Sequence, residues 1–227
     1  MKIMTGSLIV IDGVDSSGKQ TQVEQLCQKL EAEGRKVKRI SFPNYDSSSS
    51  ALVKMYLNGE LGTDAEVLDP YAISTFYAAD RYISYVTDWK KDLEEGTIVV
   101  ADRYVSSNMI HQAAKIHDPE AKKVFLDWLD DFEFNIYKLP RPDAVIFLNM
   151  PVEFGSKLMA ERKNKITGED KKDIHENNIK YLFDSYNNAM GIANAYNWQI
   201  VNCVKDNAVR SIEDISSEIF DLVKEKF

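Results

Sequence analysis

Runs of apolar residues alternate with stretches of helical spacing along the chain. Each apolar run has the length of a strand, and the runs occupy residues 7–12, 36–42, 97–101, 144–150 and 198–203. Helical spacing of apolar residues follows the first run, where Gly34 is placed to end the helix. Five repeats of strand and helix predict a single α/β domain, with a five-stranded parallel sheet and helices on both faces. Ligands of such folds bind at the carboxyl ends of the strands.

Aspartate followed by proline marks the start of two further helices. Asp69 and Pro70 open a pattern that stops at Gly96, and this pattern predicts one long helix. Asp118 and Pro119 open another helix, whose aromatic residues we assign to the core rather than to a binding site. The remaining helices are expected over residues 51–57, 151–162, 174–195 and 211–227.

The segment after the first apolar run carries small residues and a lysine at a fixed spacing. The segment GVDSSGKQT begins at Gly13. As far as Lys19 it matches the GxxxxGK[ST] spacing of a phosphate-binding loop. Small residues let backbone N–H groups turn inward around an anion, and the following helix points its positive end at the same place. The alternative is an ordinary turn with a solvated lysine. The expected contacts to ATP come from Gly13, Ser16, Ser17, Gly18, Lys19, Gln20 and Thr21.

Two positions bear on a metal ion beside this loop. Gln20 stands where the motif has Ser or Thr, so the usual hydroxyl ligand of Mg²⁺ is missing and the Gln20 carbonyl is the remaining candidate. Asp102 directly follows an apolar run, where a carboxylate can hold Mg²⁺ directly or through water. Arg103 would then face phosphoryl oxygens. A structural ion pair that caps the strand is the alternative.

Composition narrows the classes of function. The chain has 227 residues and 44% hydrophobic content, which is enough for the core of one domain. Its formal net charge of −8 argues against a nucleic-acid surface, which needs a basic stripe. Cys27 and Cys203 have no CxxC spacing, which favours reduced thiols in the cytoplasm. All apolar runs are strand-sized, so no membrane partner is expected.

Further motifs follow the phosphate-binding loop in a specific order. They are FP at residues 42–43, FYAADR at 76–81 and DRYVSSNMIHQ at 102–112. Together with GVDSSGK they resemble the thymidylate kinase family, whose members phosphorylate dTMP, over nearly the whole chain. The resemblance implies a P-loop NTPase fold in which residues 1–227 form one domain with a small lid at about 160–175. It also implies ATP as co-substrate, dTMP as acceptor and a homodimer.

The resemblance also implies a pocket for the acceptor nucleotide. Asp15 matches the family carboxylate that accepts a hydrogen bond from the sugar 3′-hydroxyl. Tyr77 matches an aromatic that stacks on thymine, and Arg81, one helical turn further on, matches the arginine that reaches its O4. A core aromatic is the alternative for Tyr77. The other acceptor contacts implied by the resemblance are Phe42, Pro43, Tyr45, Arg103, Ser107, Asn108 and Gln112.

The charged segment RKNKITGEDKKD resembles the family's lid over ATP. It implies Arg162, with Lys163 and Lys165, as cations for the migrating phosphoryl group, and a solvated helix end is the alternative. The chain departs from the family at Asn44, in place of an arginine for the acceptor phosphate, and at His111, in place of an aromatic beside the sugar. The expected catalytic residues are Lys19, Asp102, Arg103 and Arg162.

These expectations combine into one function with two alternatives. The chain is expected to move the γ-phosphoryl group of ATP to dTMP, giving dTDP for dTTP synthesis. One alternative is a kinase of another deoxynucleotide or of a deoxynucleoside. The other is a nucleotide-binding regulatory protein with little turnover, which the residues Gln20 and Asn44 motivate.

Overall fold

Five parallel strands form the sheet at the centre of the fold. The computed structural model describes residues 6–62, 67–160 and 179–226. The strands are β1 (Leu8–Gly13), β2 (Val37–Ser41), β3 (Ile98–Asp102), β4 (Ala144–Asn149) and β5 (Gln199–Asn202). They are ordered β2-β3-β1-β4-β5, and every neighbouring pair is parallel. The expected five-stranded parallel sheet is therefore confirmed.

Helices cover both faces of this sheet, as expected. The helices are α1 (Lys19–Ala32), α2 (Ala51–Leu57), α3 (Pro70–Ser84), α4 (Lys90–Glu94), α5 (Val105–His111), α6 (Pro119–Asp130), α7 (Val152–Ala160), α8 (Ile179–Ala195) and α9 (Ile212–Val223). Ile9 and Ile11 of the central strand join a core cluster with α1 and α9, whereas Leu8 and Val10 join a cluster with α4, α5 and α6. Successive side chains of a strand point to opposite faces, so a strand covered on both faces is apolar throughout.

The long helix expected between Asp69 and Gly96 is present with one irregular turn. The Asp69 side chain accepts a hydrogen bond from the Ala72 N–H at 2.9 Å, which caps the first turn of α3. The chain continues from α3 through a π-helical turn, Tyr85–Trp89, into α4. Gly96 then adopts a φ of 93° and ends the helical path. This helix carries Tyr77 and Arg81 past the carboxyl end of β3.

Several elements differ from the expectation. Helix α5 was not expected, and neither were a π-helical turn after α6, Asp131–Ile136, and a hairpin of β6 (Val204–Lys205) and β7 (Ala208–Val209). The closing helix is shorter than expected, because its last turn tightens into a 3-10 turn, Lys224–Lys226. These short elements have no apolar period of their own, which is the signal on which a sequence-based prediction depends.

Most of the expected lid, about residues 160–175, lies outside the described residues. Arg162, Lys163 and Lys165 lie in that part of the chain, so their expected roles remain predictions. The helix that precedes it, α7, is described as far as Ala160. Within the described ranges, every helix is too short or too polar to cross a lipid bilayer.

We expect Asp118→Ala to destabilise the fold through loss of a helix cap. The Asp118 side chain accepts a hydrogen bond from the Ala121 N–H at 2.8 Å at the start of α6. Replacing such a cap with alanine costs about 1 kcal/mol. Asp127→Ala is a matched control on the same helix, because it removes only an exposed ion pair with Lys123. Urea unfolding should show a larger loss of unfolding free energy for Asp118→Ala. Equal losses would contradict the capping role.

Candidate active site

The loop between β1 and α1 is shaped by two residues in the left-handed region of backbone conformation. Ser16 has a φ of 58° and Gly18 a φ of 85°, and such turns direct successive N–H groups to one side. Gly13 allows a close approach, since a Cβ there would lie 2.9 Å from the Leu148 carbonyl oxygen on β4. The Ser16 Oγ is buried without a hydrogen-bond partner among the described residues. The loop therefore has the geometry of an anion-binding turn.

Lys19 folds back over this loop and is almost entirely buried. Its Nζ donates hydrogen bonds to the carbonyl oxygens of Gly13 at 3.0 Å and Val14 at 2.7 Å. Burial, together with the neighbouring Arg103, lowers the pKa of Lys19 to about 7, although the nearby carboxylate of Asp15 opposes the shift. The ammonium is therefore partly deprotonated near neutral pH until an anion compensates its charge. Of the other residues expected at ATP, Ser17 is buried, Thr21 is half-buried and Gln20 is exposed.

Arg103 connects the end of β3 to the phosphate loop. Its Nη2 forms an ion pair with Asp15 Oδ1 at 2.6 Å, and its backbone N–H donates to the Ile11 carbonyl at 3.1 Å. Burial alone would lower the pKa of Arg103, but Asp15 and other nearby carboxylates raise it above its ordinary value. Arg103 therefore remains a cation between the loop and helix α5. Asp102 itself is buried and forms no ion pair with any described basic residue, so the structure gives no support to a strand-capping pair of Asp102 and Arg103.

His111 lies on the other side of the Arg103 guanidinium. Arg103 Nη1 is 3.1 Å from His111 Nε2, and His111 Nδ1 is 3.2 Å from the Tyr181 hydroxyl on α8. A guanidinium can only donate, so Nε2 accepts and the ring proton of a neutral His111 is on Nδ1. This contact links α8, which follows the lid segment, to the arginine beside the phosphate loop.

A slot opens next to the phosphate loop between α3, α5 and the segment after β2. It contains about 560 Å³ of empty space, including the part open to solvent. All ten residues expected at the acceptor nucleotide line it, together with Leu57, Tyr104 and His111. The ten are Asp15, Phe42, Pro43, Tyr45, Tyr77, Arg81, Arg103, Ser107, Asn108 and Gln112. The structure thus brings these residues together, while their individual roles stay predictions.

A buried ion pair stands behind the slot. Arg81 donates from Nε to Glu133 Oε2 at 2.6 Å and from Nη2 to Glu133 Oε1 at 2.5 Å, and both side chains are almost fully buried. Burial raises the pKa of the Glu133 carboxyl, and the Arg81 guanidinium opposes this rise. Asn108 Nδ2 lies 3.4 Å from Glu133 Oε1 and 3.3 Å from the Ser74 carbonyl oxygen. The polar end of the slot is therefore held by hydrogen bonds from behind.

A family model and two relatives identify the family of this chain. The model described as thymidylate kinase matches residues 11–219. The chain belongs to the thymidylate kinase family. A thymidylate kinase of Mycobacterium tuberculosis (strain H37Rv) is 36% identical over 163 residues, which cover 71% of this chain and 74% of that one. A probable thymidylate kinase of Pyrococcus horikoshii is 31% identical over 222 residues, 97% of each chain.

A solved structure supports the fold. Thymidylate kinase from Candida albicans superposes with a TM-score of 0.71 at 23% sequence identity, covering 98% of this chain and 92% of that one. At this identity the likeness bears on the fold alone, and it confirms the expected single α/β domain of the P-loop NTPase class.

Asn44, which departs from the thymidylate kinase pattern, has a structural role through its backbone. The Asn44 N–H donates to Asp80 Oδ2 at 2.8 Å, and Ser49 Oγ donates to the other oxygen of the same carboxylate. Asp80 is fully buried on α3, next to Arg81. One helix therefore anchors the segment after β2 and also carries the arginine of the slot.

Two buried carboxylates of the site were missed by the sequence analysis. Asp12 accepts hydrogen bonds from Ser106 Oγ at 2.6 Å, from Ser107 Oγ at 2.9 Å and from the Gly13 N–H at 2.8 Å. It ties the phosphate loop to the first turn of α5. Glu133 was the second. Asp12 was visible at the end of the apolar run LIVID, and Glu133 was visible between two phenylalanines, settings in which a buried carboxylate must find partners.

A larger cavity lies elsewhere in the thymidylate kinase fold. It contains about 1090 Å³ of empty space between α5, α6 and the first residues of β4 and β5, and Trp198 and Met109 form part of its wall. None of the residues expected at ATP or at the acceptor lines it. We place the candidate site at the slot, because charged groups from several strand ends converge there and, among the described residues, not at the larger cavity.

We expect ATP binding to take up a proton at pH 8. With the pKa of Lys19 at about 7, its amine is mostly neutral in the free protein at this pH. A bound polyphosphate raises that pKa, so uptake should approach about one proton per site, and the affinity should fall as pH rises above neutrality. Titration calorimetry in buffers of different ionisation enthalpy measures the uptake. Lys19→Arg is the matched control, because a guanidinium stays charged. Equal uptake by both proteins would show that another group titrates.

Proposed function

We infer that the phosphate loop and the slot together form the site of a phosphoryl transfer. The chain is an ATP-dependent kinase that phosphorylates dTMP to dTDP. The observation that carries the assignment of the site is the Asp15–Arg103 ion pair, which joins the phosphate loop to a slot lined by all the expected acceptor residues. In our proposal ATP lies on the loop and dTMP in the slot, with their phosphates meeting beside Arg103.

The reaction needs charge compensation and alignment rather than a base. An oxygen of the acceptor 5′-phosphate forms a bond to the γ-phosphorus while the bond from that phosphorus to the β–γ bridging oxygen breaks. The attacking phosphate is already ionised at neutral pH, so no side chain has to remove a proton. In the proposal Lys19 leaves its carbonyl contacts for the outer phosphates, and Arg103 spans both nucleotides. Arg162, outside the described residues, is proposed from the sequence alone as a third cation.

The slot is proposed to hold the nucleoside by contacts on three sides. Tyr77 would stack on the base, since its ring lines the slot and packs edge-on against Tyr56 with centroids 6.4 Å apart. Asp15 would accept from the sugar 3′-hydroxyl while it orients Arg103. The other contacts that we propose at the acceptor are Phe42, Pro43, Tyr45, Arg81, Ser107, Asn108 and Gln112. The buried Gln112 Oε1 has no partner among the described residues, which supports a contact to the ligand.

Mg²⁺ is the cofactor that we propose for this site. Within the described ranges no three His, Cys, Asp or Glu side chains are grouped to hold a metal. Mg²⁺ usually takes one or two carboxylates and completes its shell with substrate phosphates and water, so a buried Asp102 fits this requirement. Asp102 and the Gln20 carbonyl would hold the ion, which would neutralise charge on the phosphates of ATP.

An acceptor panel with ATP and Mg²⁺ tests this function. We expect ADP release with dTMP well ahead of dCMP and of thymidine, because the site is proposed to receive an existing 5′-phosphate. Lys19→Ala should lower turnover by about 1000-fold, since the lost ammonium acts on the migrating charge. Lys29→Ala is the matched control on the same helix, because Lys29 pairs with Glu213 at the surface. Turnover that survives Lys19→Ala would refute the loop assignment.

We also propose that the chain forms a homodimer and works in the cytoplasm. Tyr82 and Val86 on the long helix and Ile136 after α6 are exposed apolar residues that line one shallow groove, which is a feature of protein interfaces. Cys27 and Cys203 are buried free thiols, and burial raises their pKa values to about 11 and about 12. Inert thiols of this kind are compatible with a reducing compartment.

We expect Val86→Asp to weaken self-association. A charge placed in an apolar interface costs about 3 kcal/mol, which corresponds to about a 100-fold higher dissociation constant. Sedimentation equilibrium measures this change. Ile212→Asp is the matched control, because Ile212 is also apolar and exposed but lies at the start of α9. A wild-type protein that remains monomeric at high concentration would contradict the proposed homodimer.

A further inference from the structure

Glu133 is a buried carboxylate that has no part in the proposed phosphoryl transfer. It lies on the π-helical turn after α6, behind the polar end of the slot, and its side chain has no exposed surface. Burying a charge is costly unless partners compensate it, and Glu133 has two, Arg81 and Asn108. Both partners line the slot. Because both donate hydrogen bonds to Glu133, the orientation of both side chains depends on this one carboxylate.

The contact with Glu133 fixes which edge of Arg81 is available to a ligand. Nε and Nη2 each donate one hydrogen bond to the carboxylate, and Nη1 donates to the Tyr104 carbonyl oxygen at 3.4 Å. A guanidinium has five N–H groups, so two remain after these three contacts. Arg81 lines the slot, and it can present only donors there.

Glu133 also fixes the orientation of the Asn108 amide. The Nδ2 of Asn108 faces the Glu133 carboxylate and the Ser74 carbonyl, both of which can only accept. The reversed amide would place Oδ1 against two oxygens, so the nitrogen must occupy this position. Asn108 Oδ1 therefore points away from this pair, and it accepts no side-chain or backbone hydrogen bond from the described residues. It is the acceptor that Asn108 can offer to a ligand in the slot.

The slot thus offers one donor residue and one acceptor residue in a fixed arrangement. A 4-oxo pyrimidine presents an acceptor at O4 and a donor at N3–H, which complements this arrangement. A 4-amino pyrimidine presents the opposite pattern, a donor at N4 and an acceptor at N3. A buried site built for one pattern leaves its polar groups unpaired with the other, and this discriminates strongly.

We propose that Glu133 is a positioning residue that sets the hydrogen-bonding polarity of the base slot, and so makes the site select 4-oxo over 4-amino pyrimidine nucleotides. Glu133 acts through Arg81 and Asn108 and does not contact the nucleotide. The inference rests on the proposed binding of the base at these two residues.

Glu133→Gln tests this role, because it keeps the shape of the side chain but replaces one acceptor with a donor. At the position of Oε1 the new amide nitrogen faces both Arg81 Nη2 and Asn108 Nδ2, and at the position of Oε2 it faces Arg81 Nε. In the first arrangement, turning Asn108 relieves its clash with the new amide and presents Nδ2 to the slot, at the cost of the contact with the Ser74 carbonyl oxygen. We expect kcat/KM for dTMP to fall about 100-fold, mainly through KM. The ratio of kcat/KM for dTMP to that for dCMP should fall by at least about 30-fold. The KM for ATP should stay within about two-fold.

Two further variants separate this role from a general loss of structure. Asp131→Asn removes an exposed charge from the same π-helical turn and should leave the ratio unchanged. Glu133→Asp retains a negative charge opposite Arg81, so we expect it to fold. It therefore provides the test if Glu133→Gln does not fold. Its shorter side chain should lose the contact with Asn108, and the ratio should fall by about three-fold or more.

The outcomes distinguish this inference from the proposed function. An unchanged dTMP-to-dCMP ratio in the Glu133 variants, with both substrates losing activity equally, would overturn the inference and leave the kinase intact. Equal use of dTMP and dCMP by the wild-type protein would also overturn it. A wild-type protein without dTMP turnover would instead refute the proposed use of the site.

Discussion

The mutual compensation of buried charges at the carboxyl edge of the sheet is the constraint on which the rest of the site depends. Lys19 and Arg103 share this edge with Asp12, Asp15 and Asp102. Lys19, Asp12 and Asp102 are buried, and Asp15 and Arg103 are largely so, which makes an unpaired charge at this edge costly. The shape of the phosphate loop, the position of α5 and the orientation of Arg103 all follow from contacts that satisfy these groups.

A second buried network, formed by Arg81, Glu133 and Asn108, supports the base end of the slot. Arg81 comes from the long helix, Glu133 from the π-helical turn after α6 and Asn108 from α5, so three elements distant in sequence meet behind the slot. Helix α5 belongs to both networks, because Ser107 bonds Asp12 at one end of the slot and Asn108 contacts Glu133 at the other. The spacing between the phosphate loop and the base end of the slot is therefore set by one short helix.

The sequence specified the elements that have their own local signals. The phosphate loop follows an apolar strand, α2 has the expected bounds, and Asp69 and Asp118 cap helices as their prolines indicated. Apolar spacing alone was a weaker guide, since Val124 continues the pattern of α6 but is 61% exposed. The polar residues of the site carry no such periodicity. The predicted strand ends indicated where the site lies, and the family resemblance added the residues of α3 and α5 that complete the pocket.

What the sequence could not supply are contacts between distant residues. The first turn of helix α5 contains Ser106 and Ser107, which are weak helix formers, and their hydroxyls donate hydrogen bonds to Asp12, which lies 94 and 95 residues earlier in the chain. Glu133 is likewise 52 residues from Arg81. In both cases the partner that makes the local structure stable is brought close only by the folded sheet, and no window of sequence contains the pair.

Because Asn44 is uncharged, few cations are available to the phosphate of the acceptor nucleotide. The family pattern has an arginine there, and in this chain the backbone of Asn44 is instead bound by Asp80. Among the described residues that line the slot, Arg103 is the cation beside the phosphate loop, and Asp15 already shares it. An incoming phosphate must therefore draw positive charge from Lys19, whose pKa is low because of burial and of Arg103. Bound phosphates raise this pKa again, so their binding favours the charged form of Lys19.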